Sequence, residues 1–241
     1  MKHDIRVISL ERSSERRAAF IESNPGLDFS FFDAIDGSQV IGQVASEPDL
    51  FEPDLPYTAG AYGCALSHLS LWQEAAEGEK IVTVLEDDAV VRADFAEQSA
   101  AMLAGLPEDW DIIVWAWNFD SILSLNAMPG VSRAVMIFDQ DTLRANVPTF
   151  RASTERPAAL RLDKCFGTPG YAISPRGARR FMSGCFPLAN YKVYFPLLNG
   201  EFANNGIDIA MNRIYSLTNS YCAFPPLAIT RNEYAISTVQ N

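Results

Sequence analysis

The sequence predicts an α/β fold, a mostly parallel central sheet flanked by helices, and three observations lead to it. Ile81-Val82-Thr83-Val84-Leu85 and the run from Trp110 to Trp117 are apolar on both faces, as strands covered by helices on each side must be. Segments with apolar residues spaced at three and four lie between such runs. Strand and helix signals then alternate along most of the chain.

Residues 5–10 read as a short buried strand, and Ser13-Ser14-Glu15 supplies an N-cap and a first-turn acid for a helix after it. Phe29–Ile35 alternates as a second strand and stops at the turn signal Asp36-Gly37. Residues 47–57, with three prolines and several acids, read as an exposed acidic loop. Between Gly63 and Ala76 the residues Ala65, Leu66, Leu69, Trp72 and Ala76 share a helical face, and Gly78 stands where that helix would stop. The strand 81–85 follows and ends abruptly in Glu86-Asp87-Asp88. A helix over 94–103 and the strand 110–117 come next.

Residues 118–165 hold strand-like pieces such as Val135–Phe138 without a sustained period, which suggests an insertion or sheet edge. Thr168–Ile173 reads as a strand entered through a turn. Ser174-Pro175 has the cap-then-proline signature of a helix running to about Met182. A last helix is expected over 208–216, then an edge strand over 221–229 whose pairing Pro225-Pro226 would limit.

At 241 residues the chain suits one domain, read here as a first half, 1–117, and a second, 118–241. Nineteen basic against thirty acidic residues, a net charge of −11, exclude a surface built to neutralise nucleic-acid phosphates. Four scattered cysteines without a C-x-x-C pair signal neither zinc nor a redox dithiol, and two histidines leave little scope for a histidine-rich metal site. No leader-like run opens the chain and no apolar stretch approaches the ~20 residues of a membrane span. The expectation is a cytosolic chain with reduced thiols. Within the acidic whole, residues 151–180 hold seven basic side chains against Glu155 and Asp163, a local surplus suited to an anionic substrate or to salt-bridged helix faces.

Glu86-Asp87-Asp88 is the sharpest chemical feature, because ligands of open α/β sheets bind at the carboxyl ends of strands. Three adjacent carboxylates repel one another, and a hard cation such as Mn²⁺ or Mg²⁺ offsets that cost. The other reading is an acidic turn before the next helix. His68 sits among Cys64, Leu71 and Trp72, either as a packed core histidine or as a ligand-contacting one; Cys64 and His68 form at most half of a soft-metal site. Arg12 and Arg16 follow the first strand, where a side chain reaches a ligand at the sheet's edge or simply stays in solvent. Asp208 and Asp36 read equally as capping residues or as carboxylates available for proton transfer.

Taken in order, these blocks resemble family 25 glycosyltransferases. The likeness is carried by Val7-Ile8-Ser9-Leu10-Glu11-Arg12 through Arg16, by Phe32-Asp33-Ala34-Ile35-Asp36-Gly37, and by Gly63-Cys64-Ala65-Leu66-Ser67-His68 through Trp72. It continues in Val84-Leu85-Glu86-Asp87-Asp88, in Gly167–Ser174 with Gly177-Ala178, and in Asp208. The resemblance implies a GT-A type fold and transfer of a hexose from a UDP-sugar, by default UDP-galactose, to a lipooligosaccharide or other saccharide acceptor, with inversion. It implies Mn²⁺ or Mg²⁺ held by Glu86 and Asp88. Asp208, with Asp88, would be catalytic, the former as general base. Arg12, Arg16, Asp36, Ser67, His68 and Asp87 would line the donor site, and Gly170 and Tyr171 the acceptor side. Contact with the cytoplasmic face of an inner membrane would be peripheral. The chain departs from the family pattern at Ser9, where Asn is usual, at Ala61, where Glu is frequent, and near Arg231, where a Gln is expected. A metal-dependent nucleotidyl- or phosphotransferase, and a non-catalytic carbohydrate-binding relative, are the alternatives.

Overall fold

The computed structural model describes residues 3–44 and 47–230; Arg231 lies outside them. The first half supplies β1 (Asp4–Ser9), α1 (Ser14–Ser23), β2 (Ser30–Asp33), α2 (Gly37–Val44), α3 (Ala59–Glu77), β3 (Val82–Glu86), β4 (Ala89–Val91), α4 (Phe95–Gly105) and β5 (Ile112–Ala116). The second half supplies β6 (Ile122–Met128), β7 (Ser132–Ile137), α5 (Gln140–Ala145), α6 (Val147–Arg151), β8 (Ala158–Cys165), β9 (Gly170–Ile173) and α7 (Pro175–Cys185). It closes with β10 (Lys192–Phe195), β11 (Gly200–Ala203), α8 (Ile207–Met211), β12 (Ser220–Phe224) and β13 (Ala228–Thr230).

Among the described residues, nine strands form one sheet in the order β2-β1-β3-β9-β5-β12-β8-β6-β7. The pairings β1–β2, β1–β3 and β5–β12 are parallel, and the others are antiparallel. Followed across the sheet, β2, β1, β3, β5, β12 and β6 all run one way, while β9, β8 and β7 run against them. The expected α/β fold is present, and its mostly parallel character lies in strand direction rather than in neighbour pairs. The two halves of the chain share this sheet, since β9 and β12 flank β5. Val82, Val84, Ile112, Tyr171 and Ile173 are buried with residues of α3 and α7 such as Trp72 and Phe181. Val7, Leu85, Ile113 and Trp115 are buried with Phe20 and Phe95 of α1 and α4. The two-sided apolarity of β3 and β5 follows from this double cover.

Several elements differ from the sequence-based expectation for identifiable reasons. The helix expected from Gly63 starts at Ala59, because Thr58 caps it by accepting the Ala61 amide. The loop 47–57 exposes its acids, yet Phe51, Leu55 and Tyr57 enter the core between them. Residues 118–165 are sheet edge: β6 and β8 pair antiparallel, and β7 lies outermost with mostly exposed or half-buried side chains, which blurs its pattern. The helix expected over 208–216 ends at Met211, with a separate 3₁₀ turn at Tyr215–Leu217. Asn212 instead gives its amide to the Cys165 carbonyl and accepts the Cys165 N–H, tying the chain to β8. The edge strand expected over 221–229 is two strands. β12 lies inside the sheet between β5 and β8, β13 pairs with β4, and Pro225-Pro226 fall in the connection, where no ladder hydrogen bond is lost.

Candidate active site

Because β1, β2 and β3 are parallel, their carboxyl ends meet at one edge of the sheet, and β9, running the other way, begins there. The acid turn is built at this edge. The Glu86 amide donates to the Pro169 carbonyl at 3.1 Å, which ties the end of β3 to the segment leading into β9. Glu86 Oε1 accepts the Thr168 hydroxyl at 2.6 Å and lies 3.7 Å from His68 Nε2. Asp87 turns to β1 and α1, accepting the Ser9 hydroxyl at 2.6 Å and Arg16 Nε at 2.9 Å. Ser9, where the resemblance leads one to expect Asn, thus anchors the middle acid. Asp88 Oδ2 accepts the Thr230 hydroxyl at 3.2 Å, whereas its Oδ1 is buried with no hydrogen-bond partner.

The electrostatics separate these carboxylates. Burial opposes ionisation of Glu86, but the neighbouring His68, the Thr168 hydrogen bond and the charge of Arg16 outweigh it and hold its carboxyl below the ordinary value. Asp88 goes the other way: burial, with the Glu86 charge added, pushes it up to about 7. Burial is likewise the main cause that raises Asp208, against the hydrogen bond its Oδ2 accepts from the Gly167 amide at 2.9 Å. Glu86 adds to that rise, so Asp208 belongs to the same electrostatic site. Gly167 is required there: its φ is +78°, and a Cβ would lie 2.2 Å from Asn118 Oδ1.

Arg12 pairs with Asp36 at the neighbouring ends of β1 and β2, and Asp36 also accepts the Ser38 amide and hydroxyl. This pair flanks the acid turn on the same edge. Ser67 is buried; it accepts the Ile35 amide and donates to the Gly63 carbonyl, so its hydroxyl holds the β2–α2 connection against α3. Two expected site residues are placed elsewhere. Tyr171 is fully buried in β9 between β3 and β5, stacked on His68, and no acceptor reaches it. Gly170 packs in the same strand, where a Cβ would lie 2.9 Å from Leu85 Cδ2. His68 is also fully buried and meets Glu86 from behind.

Three residues of the site carried no expected role: Gly167 and Thr168 entered only within the strand reading or the block that bears the resemblance, and Thr230 not at all. The signal for Thr168 was its place in Gly167-Thr168-Pro169-Gly170, directly before a strand adjoining the acid turn; nothing local marks Thr230. The half-site of Cys64 and His68 gains a third member, as donor atoms of Cys64, His68 and Glu86 lie within 4.8 Å of one another. Burial, with the charges of Glu86 and Asp208, raises the Cys64 thiol well above its ordinary value. That disfavours a thiolate ligand. Glu86 and Asp88 offer hard oxygens, one of them orphaned, and fit a divalent cation such as Mn²⁺ or Mg²⁺.

The basic segment 151–180 does not form an open cationic strip. Arg176 and Arg180 converge on the buried Asp111, Arg179 pairs with Glu79, and Arg161 and Lys164 are taken up by Asn219, Tyr221 and the Asn212 carbonyl. A cavity of about 670 Å³ lined by Ala19, Glu22, Val147 and Arg151 shares no residue with the acid turn. Among the described residues, no helix is long and apolar enough to cross a membrane.

A family model described as glycosyltransferase family 25 (LPS biosynthesis protein) matches residues 2–192. The chain is 38% identical over 112 residues to the lacto-N-neotetraose biosynthesis glycosyltransferase LgtB of Neisseria meningitidis, covering 44% of this chain and 39% of that one. It is 32% identical over 122 residues to a glycosyltransferase 25 family member of Anopheles gambiae, covering 45% and 21%. It is also 32% identical over 149 residues to the inactive glycosyltransferase 25 family member 3 of Mus musculus, covering 53% and 24%. The match to these relatives thus spans less than half of their length. Asp208 and Thr230 lie beyond the family match.

Proposed function

The chain belongs to glycosyltransferase family 25, and on that premise we propose that it transfers a hexose, by default galactose, from a UDP-sugar to a lipooligosaccharide or related saccharide, with inversion. The observation that carries this reading is the acid turn at the carboxyl end of β3, where Asp88 Oδ1 is buried without a partner and Glu86 is held ionised beside it. Glu86 and Asp88 would hold Mn²⁺ or Mg²⁺. A divalent cation bound there supplies positive charge to the donor diphosphate and to the charge growing on it as the glycosidic bond breaks.

The chain's own residues do the rest. Arg16, fixed by Asp87, presents a guanidinium at the same edge to a diphosphate oxygen. Arg12, exposed beside it, and the half-buried Asp36 are placed to meet the nucleoside part of the donor. Asp208, raised by burial, is the base that takes the proton of the acceptor hydroxyl as that oxygen attacks the anomeric carbon from the face opposite the leaving diphosphate. The Gly167 amide aims its carboxylate. A GT-A type arrangement accords with the six strands running one way to a shared carboxylate edge. The family description and the name of the Neisseria relative support a lipooligosaccharide acceptor, and with it action at the cytoplasmic face of an inner membrane through peripheral contact. The basic segment lends that contact little support, because five of its seven cations are engaged.

The deciding experiment measures products from UDP-galactose and other UDP-sugars, with and without Mn²⁺, in the presence of saccharide acceptors. Release of UDP together with a new glycoside is expected. Release of pyrophosphate or transfer of phosphate would establish the nucleotidyl- or phosphotransferase reading instead. The likeness to an inactive mouse family member favours a second reading, a binding protein without turnover. In that case acceptor binding without UDP release, unchanged in Asp88→Asn, would be seen.

A further inference from the structure

Behind the acid turn, four side chains donate hydrogen bonds in one direction along a chain that ends on the Glu86 carboxylate. Trp72 Nε1 is a donor without acceptor capacity and lies 2.7 Å from the Tyr171 hydroxyl, so the phenolic oxygen accepts. The Tyr171 proton is then left for the other partner of that hydroxyl, His68 Nδ1 at 2.8 Å. With Nδ1 accepting, the neutral imidazole carries its proton on Nε2. Nε2 faces Thr168 Oγ1 at 3.4 Å and Glu86 Oε1 at 3.7 Å, and Thr168 passes its own proton to Glu86 Oε1 at 2.6 Å. Trp72, Tyr171 and His68 are fully buried, so water does not substitute for any of these partners.

We propose that Trp72 and Tyr171 are positioning residues for Glu86: they lock His68 in the Nε2–H tautomer, and His68 with Thr168 then sets the orientation in which the carboxylate meets its ligand. The inference rests on the reading of Glu86 as a cation-holding residue. Its geometry explains why α3 carries His68 and Trp72 one turn apart, at i and i+4, facing the same hydroxyl of β9. The opposite tautomer would aim the Nε2 lone pair at a carboxylate and leave the Tyr171 proton without an acceptor among the described residues. That opposite tautomer is also the one a soft metal on Cys64, His68 and Glu86 would need, so the two uses of His68 exclude each other.

The test is long-range ¹H–¹⁵N spectroscopy of histidine-labelled, metal-free protein, in which only His3 and His68 contribute, paired with Mn²⁺ titration. The wild type should show His68 protonated at Nε2 and bare at Nδ1. Tyr171→Phe should convert this to a mixture of tautomers and weaken Mn²⁺ binding about tenfold, as loss of an outer-shell partner does. Should Tyr171→Phe fail to fold because Trp72 Nε1 is orphaned, the double variant Trp72→Phe/Tyr171→Phe removes both polar groups and is expected to give the same two changes. A proton on Nδ1 in the wild type, or Mn²⁺ affinity unchanged in the folded variant, overturns the proposal. A wild type with the Nε2–H tautomer that binds no Mn²⁺ removes the cation reading of Glu86, and the positioning role with it, while the tautomer assignment stands on its own spectrum.

Discussion

Two aspartates at opposite edges of the same sheet, one fully buried and one half-buried with its Oδ1 enclosed, show how burial alone fails to identify a site. Asp111 lies just before β5, fully buried. Its Oδ2 accepts Arg180 at 2.7 Å and the Asn219 amide at 2.8 Å, and Arg176 stands 3.5 Å from Oδ1. Asp88 lies just after β3 with one hydroxyl for a partner and two neighbouring carboxylates; each aspartate has an Oδ1 without a hydrogen-bond partner, but only that of Asp111 has a guanidinium standing against it. The first carboxylate is surrounded by its counter-charge and joins α7 and the start of β12 to β5. The second is reached only by the charge of Arg16, which Asp87 already engages, and an enclosed carboxylate oxygen in that state is stabilised by a proton or by a cation.

The sharpest way to break this contrast is to neutralise each residue in turn. Asp88→Asn should lower turnover by three orders of magnitude or more, about 4 kcal/mol of transition-state stabilisation, with the melting temperature unchanged or raised because a repulsion is relieved. Asp111→Ala should do the reverse, costing roughly 2–3 kcal/mol of stability by leaving two guanidinium groups without their buried partner, while kcat of the folded enzyme stays within about twofold. Chemical denaturation and steady-state kinetics on both variants check the pair. An Asp88→Asn enzyme with full activity would erase the distinction.

Next in size is Asp208→Asn, expected to cut kcat about 10²–10⁴-fold, the range of a lost general base, with UDP-sugar affinity unchanged by calorimetry. A variant that loses donor binding and keeps kcat would move Asp208 from proton transfer to donor recognition.

The pH dependence sharpens the contrast further. Asp88 is raised to about 7 by burial and by Glu86, so between pH 4 and 7 the folded protein holds a proton that the unfolded chain has released. Its contribution to stability is therefore fully present at the acid end and is lost as pH rises toward 7. Mn²⁺ should accordingly raise the melting temperature more at pH 8 than at pH 5.5, and its affinity should climb through pH 7 as the proton leaves. A Mn²⁺ effect independent of pH would show that Asp88 is not a ligand. The smallest expected effect is that of Cys64→Ala: activity within about threefold and no change in bound metal by elemental analysis, against loss of a stoichiometric soft metal if Cys64 were a ligand.

Much of this edge was legible before folding. Val82–Leu85 ends in three acids, and an apolar strand ending in carboxylates places them at a sheet edge whatever its neighbours are. The helix 174–182 was equally plain, because Ser174 and Pro175 mark its start locally, and the structure shows Ser174 accepting the Gly177 amide. The acceptor-side place of Tyr171 was implied by the resemblance alone; its burial depends on β9 inserting between β3 and β5, and no local feature encodes strand order. The 151–180 surplus left a strip for an anionic substrate and salt-bridged helix faces both open, since its counter-charges Glu79 and Asp111 lie more than sixty positions away in sequence.

Residue periodicity and capping chemistry act within a few residues, so the chain by itself determined its α/β class, its major helices and the acids that end β3. Which way each acid turns, which of them ionises, and that His68 is reached through Tyr171 rather than by ligand were decided by tertiary structure. Those properties depend on dielectric and on hydrogen bonds between α3, β3 and β9, and such contacts exist only once the sheet has closed.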